Sequence, residues 1–280
     1  MIADIRLYVS YRLKRFGYIS SDKNLGEVAV KSGGVFEWAR LACDFVSNRI
    51  RTIAKKRLEE ILSQAPGDGR TLLDEMYIMF LKESTKGQSD VLDMFHSVMR
   101  QIMWLKEPLS ITALNIIRKR FPRKGDRYPV GDVLDSMAPL LYGTSDVSTP
   151  VHPLQASFYD FLLDKKRSRV FFIQEGNIHY DLTIALLSVV QADLSFNICR
   201  QQMSYMNVAN LEKVTRKKNI PPYLLYACRF WEVHLHDGGF VAEVAQSVSG
   251  FIKGNTVDLI RLNFDPLRLD YLAIRRQVTT

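Results

Sequence analysis

Apolar residues recur at steps of three and four along most of this chain, which is the period of an amphipathic helix. The clearest such run is one helical face made of Val91, Phe95, Val98, Met99, Ile102 and Met103. Glu107-Pro108 breaks this helix, and Ser110 is placed to cap a second helix from Ile111 to Arg120. Two helices joined by a turn that contains proline resemble a helix-turn-helix.

A hairpin is predicted directly after these helices. A third amphipathic stretch, Val130 to Met137, ends at Pro139. Two short extended pieces, Leu140 to Tyr142 and Pro150 to His152, then flank the polar loop Gly143 to Thr149. Together these elements predict a winged helix in the middle third of the chain.

Helices are also predicted before this segment. The first runs from Ile2 to Phe16 and is closed by Gly17; because it starts at residue two, the chain is expected to be a piece of something longer. Gly33-Gly34 leads into a helix with an apolar face made of Val35, Trp38, Ala42, Phe45 and Val46. A turn or linker at 65–69 follows, and Thr71 is placed to cap a helix from Leu72 to Lys82.

The last third reads as helical too. Residues His179 to Ile198 are mostly apolar, and Pro222 suits the first turn of a helix from Tyr223 to Leu235. Residues 241–280 have no assignable pattern. The predicted fold class is therefore mainly α, with one small β-hairpin and, at 47% hydrophobic content, enough material for packed cores.

Charge leaves two interpretations open. A net charge of +8 and a pI near 9.3 are typical of nucleic-acid binding. The basic runs are dispersed, however, at Lys55 to Arg57, Arg118 to Lys124, Lys165 to Arg169 and Arg216 to Lys218. Because most of them fall at helix ends, where cations complement the backbone dipole, solvated helix faces are the favoured explanation.

The cysteines and the apolar runs indicate an intracellular setting. Cys43, Cys199 and Cys228 lie in apolar helical surroundings without paired spacing, which favours core positions and a reducing compartment. No apolar stretch reaches the length of a membrane span, and no secretory signal is evident. We therefore expect a cytoplasmic protein without membrane contact.

Metal and nucleophile sites are not predicted. His234-x-His236-Asp237 is the nearest approach to a ligand set, but residues two apart on a helix point to different faces. His96 and His179 are interpreted as structural, and Cys43 has no histidine and acid that the sequence ties to it.

Six phrases in order carry a family resemblance: GGVFEWARLACDFV, TLLDEMY, LKEPLSITAL, PLQASFYDFLLD, IHYDLTIALL and NIPPYLLYACRFWEVHL. From about Asp4 to about Leu235 the chain resembles the NACHT-type proteins of basidiomycete fungi, which are STAND-class NTPases related to the NOD-like receptors. The resemblance implies a helical lid-like domain at 1–87, a winged-helix domain at 88–173 and a helical extension at 174–280. It covers the part that follows the P-loop core in that family.

Catalytic parts of the family are missing from this sequence. It contains no G-x-x-x-x-G-K-[ST] and no apolar strand ending in paired acids for magnesium, so we expect no enzyme activity and no cofactor in this chain. The resemblance places Gly34, Val35 and Phe36 near the adenine of a bound nucleotide. It also places Gln155 where many members carry a histidine that reaches the diphosphate of ADP; glutamine cannot become cationic, and His152 does not take over that role.

Three functional hypotheses follow. The first is a non-catalytic regulatory fragment of a NACHT-type STAND NTPase that packs on a P-loop core in cis, contacts other protein domains, relays the ADP or ATP state and takes part in homo-oligomers. The second is a winged-helix nucleic-acid-binding module that uses Arg118, Lys119, Arg120, Arg123 and Lys124, against which the strongly apolar helix before them argues. The third is a degenerate, truncated product without an independent role.

Overall fold

The computed structural model describes residues 1–14, 22–47, 51–63, 69–194, 220–239, 244–245 and 248–249. Four sequence predictions therefore lie outside the described residues: the helix stop at Gly17, most of the 65–69 linker, Cys199 and the basic run at Arg216 to Lys218. The same holds for nearly all of 241–280. The described chain is mainly helical with one two-stranded antiparallel sheet, which confirms the predicted fold class.

Six helices form the first part of the described chain. They are α1 (Ile2–Lys14), α2 (Asp22–Lys31), α3 (Phe36–Val46), α4 (Arg51–Ser63), α5 (Gly69–Thr85) and α6 (Ser89–Trp104). The prediction that Thr71 caps α5 is wrong, because the helix already begins at Gly69. At its other end α5 continues past Lys82 to Thr85, whose hydroxyl donates to the Leu81 carbonyl over 2.9 Å.

Shorter elements follow, and two long helices complete the fold. They are α7 (Ile111–Arg118), α8 (Gly131–Leu134), β1 (Leu141–Tyr142), β2 (His152–Pro153), α9 (Ala156–Leu163), α10 (Lys165–Ser168), α11 (Ile178–Asp193) and α12 (Pro222–Gly238). Single 3-10 turns lie at Lys124–Asp126, Asp135–Met137 and Arg169–Phe171. Pro222 occupies the first turn of α12, as predicted.

Two helices joined by a turn that contains proline are present, and the second is shorter than predicted. Ser110 caps α7, since its side chain accepts a hydrogen bond from the Ala113 amide over 3.4 Å. The helix ends at Arg118 rather than Arg120, because the amide of Arg120 bonds to Ile117 in a tighter turn. The stretch Val130 to Met137 divides into α8 and a 3-10 turn.

The chain separates into two compact units that interleave in sequence. The first unit comprises Met1–His96, Ser136–Tyr142 and Pro153–Ile173, and the second comprises Ser97–Asp135, Gly143–His152 and Gln174–Thr280. The division into three consecutive domains at 1–87, 88–173 and 174–280 stays a prediction.

Helix α3 lies at the centre of the first unit. It packs on α1, α2, α4 and α5, and the predicted apolar residues Trp38, Ala42, Phe45 and Val46 are all buried. Trp38 is completely buried, and its indole Nε1 has no hydrogen-bond partner. Elsewhere in this unit, Arg167 at α10 forms a two-fold contact with Asp74 of α5, at 2.7 and 2.8 Å.

In the second unit, the two long antiparallel helices α11 and α12 pack against each other, and α7 packs on both. The predicted buried helix is confirmed, because α11 has five completely buried residues: Leu182, Ala185, Leu186, Val189 and Val190.

Among the described residues, no helix is both long enough and apolar enough to cross a membrane.

Candidate functional sites

The three residues predicted to lie near adenine form the entry to α3 in the first unit. Gly34 has a φ of +83°, a left-handed conformation that favours glycine. Val35 is the N-cap of α3 and provides no side-chain cap. Phe36 is 48% exposed, and its ring lies 4.7 Å from that of Tyr8. An accessible apolar turn is therefore present at this helix start, and its position near adenine stays a prediction.

Gln155 lies next to this turn. It is the N-cap of α9, and its side-chain Nε2 donates to Glu37 Oε2 over 3.4 Å. Glu37 belongs to the first turn of α3. The structure thus brings Gln155 to the same helix start as Gly34, Val35 and Phe36, across a separation of 118 residues between Gln155 and Glu37.

Charges around this helix start alternate in sign. Arg40 holds both oxygens of Glu37, at 2.6 and 2.9 Å, and also contacts Asp44 at 2.9 Å. Asp44 in turn pairs with Arg12. Burial opposes the charged form of Arg40, but the hydrogen bonds and charges of Glu37 and Asp44 give it a raised pKa. Two cations and two carboxylates offset each other, so this cluster offers no surplus positive charge to a phosphate.

A buried tyrosine supports the same region. The hydroxyl of Tyr77 lies 2.9 Å from Ser157 Oγ, and its ring packs 5.0 Å from Phe158 and 5.2 Å from Phe161. Burial raises the pKa of Tyr77 to about 12. Tyr77 therefore stays protonated at neutral pH and acts as a structural hydrogen-bonding group.

In the second unit, the first residue of the basic cluster at the end of α7 is buried, whereas Lys119, Arg123 and Lys124 are exposed. Arg118 is completely buried: its Nη1 donates to Gln101 Oε1 over 3.1 Å and its Nη2 to Ser97 Oγ over 2.8 Å. Its guanidinium lies 4.3 Å from the centre of the Tyr128 ring. The Ser97 hydroxyl in turn donates to Asp126 Oδ1 over 2.9 Å, so one hydroxyl connects the buried cation to a carboxylate that balances its charge.

The remaining arginines of this cluster have carboxylate partners. Arg123 Nη2 contacts Asp181 at 2.9 Å and its Nε contacts Asp126 at 3.2 Å. Arg120 lies 4.0 Å from Asp193. Of the five residues that the nucleic-acid hypothesis uses, Arg118 is thus inaccessible and two more are paired within the unit.

The loop of the predicted wing folds back onto α7. The carbonyl of Val147 accepts from the amide of Thr112 over 3.1 Å and from its hydroxyl over 2.9 Å. At the base of the loop, Gly143 has a φ of +78°, and a Cβ there would collide with the carbonyl of Pro150. The loop therefore covers the first turn of the helix that would have to read bases.

A buried chain of hydrogen bonds joins α11 and α12, and sequence reasoning missed it. His179 Nδ1 lies 2.9 Å from His234 Nδ1, and His234 Nε2 lies 2.8 Å from the Tyr226 hydroxyl. The Lys106 amide donates to that hydroxyl over 3.0 Å, and Glu175 Oε1 lies 3.2 Å from His179 Nε2. The only sequence signal was the spacing of eight between Tyr226 and His234, which places them on one helical face.

One arrangement of protons satisfies the whole chain. In it, the Lys106 amide donates to the Tyr226 hydroxyl, which in turn donates to His234 Nε2. His234 then carries its proton on Nδ1 and donates to His179, which carries its own on Nε2, 3.2 Å from Glu175 Oε1. Both rings are neutral in this arrangement.

Electrostatics favour these neutral rings. Burial, with His179 and Lys106 adding to it, lowers the pKa of His234 to about 3. Burial also lowers the pKa of His179 and raises that of Tyr226. His236, by contrast, has an 88% exposed side chain, so His234 and His236 point apart as predicted. No group of three or more potential metal ligands occurs among the residues that the structure describes.

The two cysteines within the described ranges are unsuited to nucleophilic chemistry. Cys43 and Cys228 are buried, and burial raises the pKa of each thiol to about 12. Because the thiolate is the reactive form and these thiols stay protonated, both are core residues, as predicted.

Comparison of the chain with protein-family models, with curated proteins and with solved structures finds no match.

Proposed function

We propose that this chain is a non-catalytic regulatory module of a NACHT-type STAND NTPase, which packs on a nucleotide-binding core and relays its ADP or ATP state. The observation that carries the proposal is the contact between Gln155 and Glu37 at the start of α3. Two segments that the family resemblance assigns to the neighbourhood of the nucleotide meet there within one compact unit.

The chemistry of this meeting point supports a role without phosphate binding. Glu37 and Asp44 offset Arg12 and Arg40, and Gln155 is neutral at every pH. A diphosphate at Gln155 would also face the carboxylate of Glu37. The module therefore contributes packing surfaces to the switch, while phosphate and magnesium are held by the core, in a cytoplasmic protein that oligomerises with other copies.

The burial of Arg118 and the position of the Val147 loop favour this proposal over the nucleic-acid hypothesis. Specific DNA binding by a winged helix needs an accessible recognition helix and cations free to meet phosphates. Here Arg118 is inside the unit and the loop carrying Val147 lies on the first turn of α7. Binding to duplex DNA that weakens steeply with salt, and is lost in Lys119→Glu/Lys124→Glu, would favour the nucleic-acid hypothesis instead.

Nucleotide measurements on the purified chain test the proposal directly. We expect no ATP turnover with magnesium and no ADP binding in calorimetry. Magnesium-dependent turnover by the chain alone would contradict the proposal.

A gain-of-contact variant tests the role of the α3 start. The transcript upstream of Met1 should encode an in-frame P-loop core. In the protein that contains both this core and the present chain, Gln155→His should tighten ADP binding by roughly tenfold or more below about pH 6.5. The reason is that an imidazolium adds a charge-assisted hydrogen bond. Gln155→Asn is the matched neutral control. Equal ADP affinity in all three proteins, or a transcript without such a core, would refute the proposed switch.

A further inference from the structure

An open groove lies on the first unit between α1, α2 and α4. Its volume is about 560 Å³. Helix α1 provides Ile2 and Arg6, one face of α2 provides Lys23, Gly26 and Val30, and α4 provides Leu62. Lys23, Gly26 and Val30 are three and four residues apart, so these three share one helical face on the floor of the groove.

The groove combines positive charge with apolar surface. Arg6, Lys23 and Lys31 line it against one carboxylate, Glu27. Lys31 is held in the wall, since its Nζ donates to the Leu62 carbonyl over 2.9 Å. Ile2 is 50% exposed and Val30 is 68% exposed. An occupant that matched this lining would carry carboxylates beside an apolar ridge.

Gly26 gives an independent indication of close approach. It lies in the interior of α2, where a glycine destabilises the helix relative to alanine. No atom lies within 4 Å of the position that a Cβ at Gly26 would take, so packing within the described chain does not require a glycine there. A glycine of this kind on the floor of a groove allows another backbone to come close.

We propose that this groove binds an acidic amphipathic helix of a partner protein. Its apolar ridge would rest on Ile2 and Val30, its backbone would approach α2 at Gly26, and its carboxylates would meet Arg6 and Lys23. This assignment does not rest on the proposed nucleotide-linked function, because none of these residues belongs to the α3 start.

Binding of a synthetic peptide tests the groove. The probe is a fluorescein-labelled helical peptide of about 18 residues with leucines on one face and glutamates beside them, followed by fluorescence anisotropy. We expect saturable binding to the full chain that weakens as salt rises, and no binding of the same peptide with lysines in place of the glutamates. Arg6→Glu/Lys23→Glu should abolish binding.

A matched charge reversal distinguishes binding in the groove from a general effect of the positive net charge. Lys55→Glu/Lys56→Glu changes the net charge equally on exposed positions of α4 that do not line the groove, and this variant should bind normally. Equal loss of binding in both double variants would overturn the proposal. So would binding of phosphatidylserine vesicles through Arg6 and Lys23 without binding of the acidic peptide, which would assign the groove to a membrane surface.

Gly26→Ala separates binding from folding. Alanine should raise the melting temperature by a few degrees, because it improves the helix, yet weaken peptide binding by roughly tenfold, because its methyl group fills the point of approach. A stabilised variant with unchanged peptide affinity would contradict the proposed close approach. Leu62→Ala, in the opposite wall, gives a second measurement of the same surface.

Discussion

Acidification should destabilise the second unit through its buried histidine pair. An unfolded histidine has a pKa near 6.5, whereas the folded environment lowers the pKa of His234 to about 3. Between these values the unfolded chain binds a proton that the folded chain excludes, so the free energy of unfolding falls as the pH falls. The contribution is fully present above pH 6.5 and is lost progressively towards pH 3.

The magnitude follows from the shift. Each pH unit within this window contributes about 1.4 kcal/mol for one excess proton. Integrated from about pH 7.5 to about pH 5, His234 alone therefore contributes a loss of about 2 kcal/mol. His179 acts in the same direction, since its pKa is also lowered. A proton added to either ring also disrupts the chain: on His179 it would put a hydrogen on both facing Nδ1 atoms, and on His234 it would occupy the Nε2 that accepts from Tyr226.

Hydrogen exchange read by mass spectrometry measures this effect locally. The opening free energy of peptides from α11 and α12 is compared at about pH 7.5 and about pH 5 after correction for intrinsic exchange. In His234→Gln, which cannot titrate at this position, the opening free energy at about pH 7.5 should be lower than in the wild-type chain. On acidification it should fall by about 2 kcal/mol less than in the wild-type chain. His236→Gln is the matched control, because its side chain is 88% exposed.

Two results would refute the reasoning. One is an equal opening free energy of α11 and α12 in the wild-type chain at both pH values. The other is an undiminished acid loss in His234→Gln. Should that variant fail to fold, Tyr226→Phe keeps both rings and should lower stability by about 1–3 kcal/mol at both pH values, since it leaves the Lys106 amide and His234 Nε2 unpaired.

Three stability predictions can be checked by urea unfolding. Arg118→Met should lower the free energy of unfolding by about 2–4 kcal/mol, because it leaves buried acceptors without a donor. Lys119→Ala, at the exposed neighbouring position, should change it by under about 0.5 kcal/mol. Equal effects of the two substitutions would contradict the buried role of Arg118. Asp74→Ala should cost about 2 kcal/mol by removing a two-fold arginine contact, and Glu75→Ala, whose ion pair is exposed, no more than about 0.5 kcal/mol; the reverse order would argue against the observed pairing. Ser110→Ala should cost about 1 kcal/mol by removing the cap of α7, and an unchanged midpoint would show that the cap contributes nothing.

Helix positions were predictable because they depend on local periodicity. The buried face of α3 and the mostly apolar α11 follow from spacings of three and four residues, and the cap at Ser110 follows from residue type. Helix ends were less predictable: Thr71 has the chemistry of a cap but lies inside α5, which begins at Gly69.

The polar interior was not predictable because its partners are distant in sequence. Arg118 belongs to a basic run that reads as solvated, yet Ser97, Gln101 and the Tyr128 ring enclose it. His179 and His234 are 55 residues apart, and only the packing of α11 on α12 brings their rings together. In the first unit, likewise, the sequence indicated Gln155 but not its partner Glu37.

The buried indole of Trp38 makes an intrinsic optical label available. A tryptophan without water or a hydrogen-bond partner emits at the blue end of its range, and Trp38 occupies such a position at the centre of the first unit. Trp231 of α12 is buried in the second unit. The third tryptophan is Trp104, so Trp104→Phe/Trp231→Phe and Trp38→Phe/Trp104→Phe would each leave one indole, a reporter for the loosening of the first and of the second unit respectively.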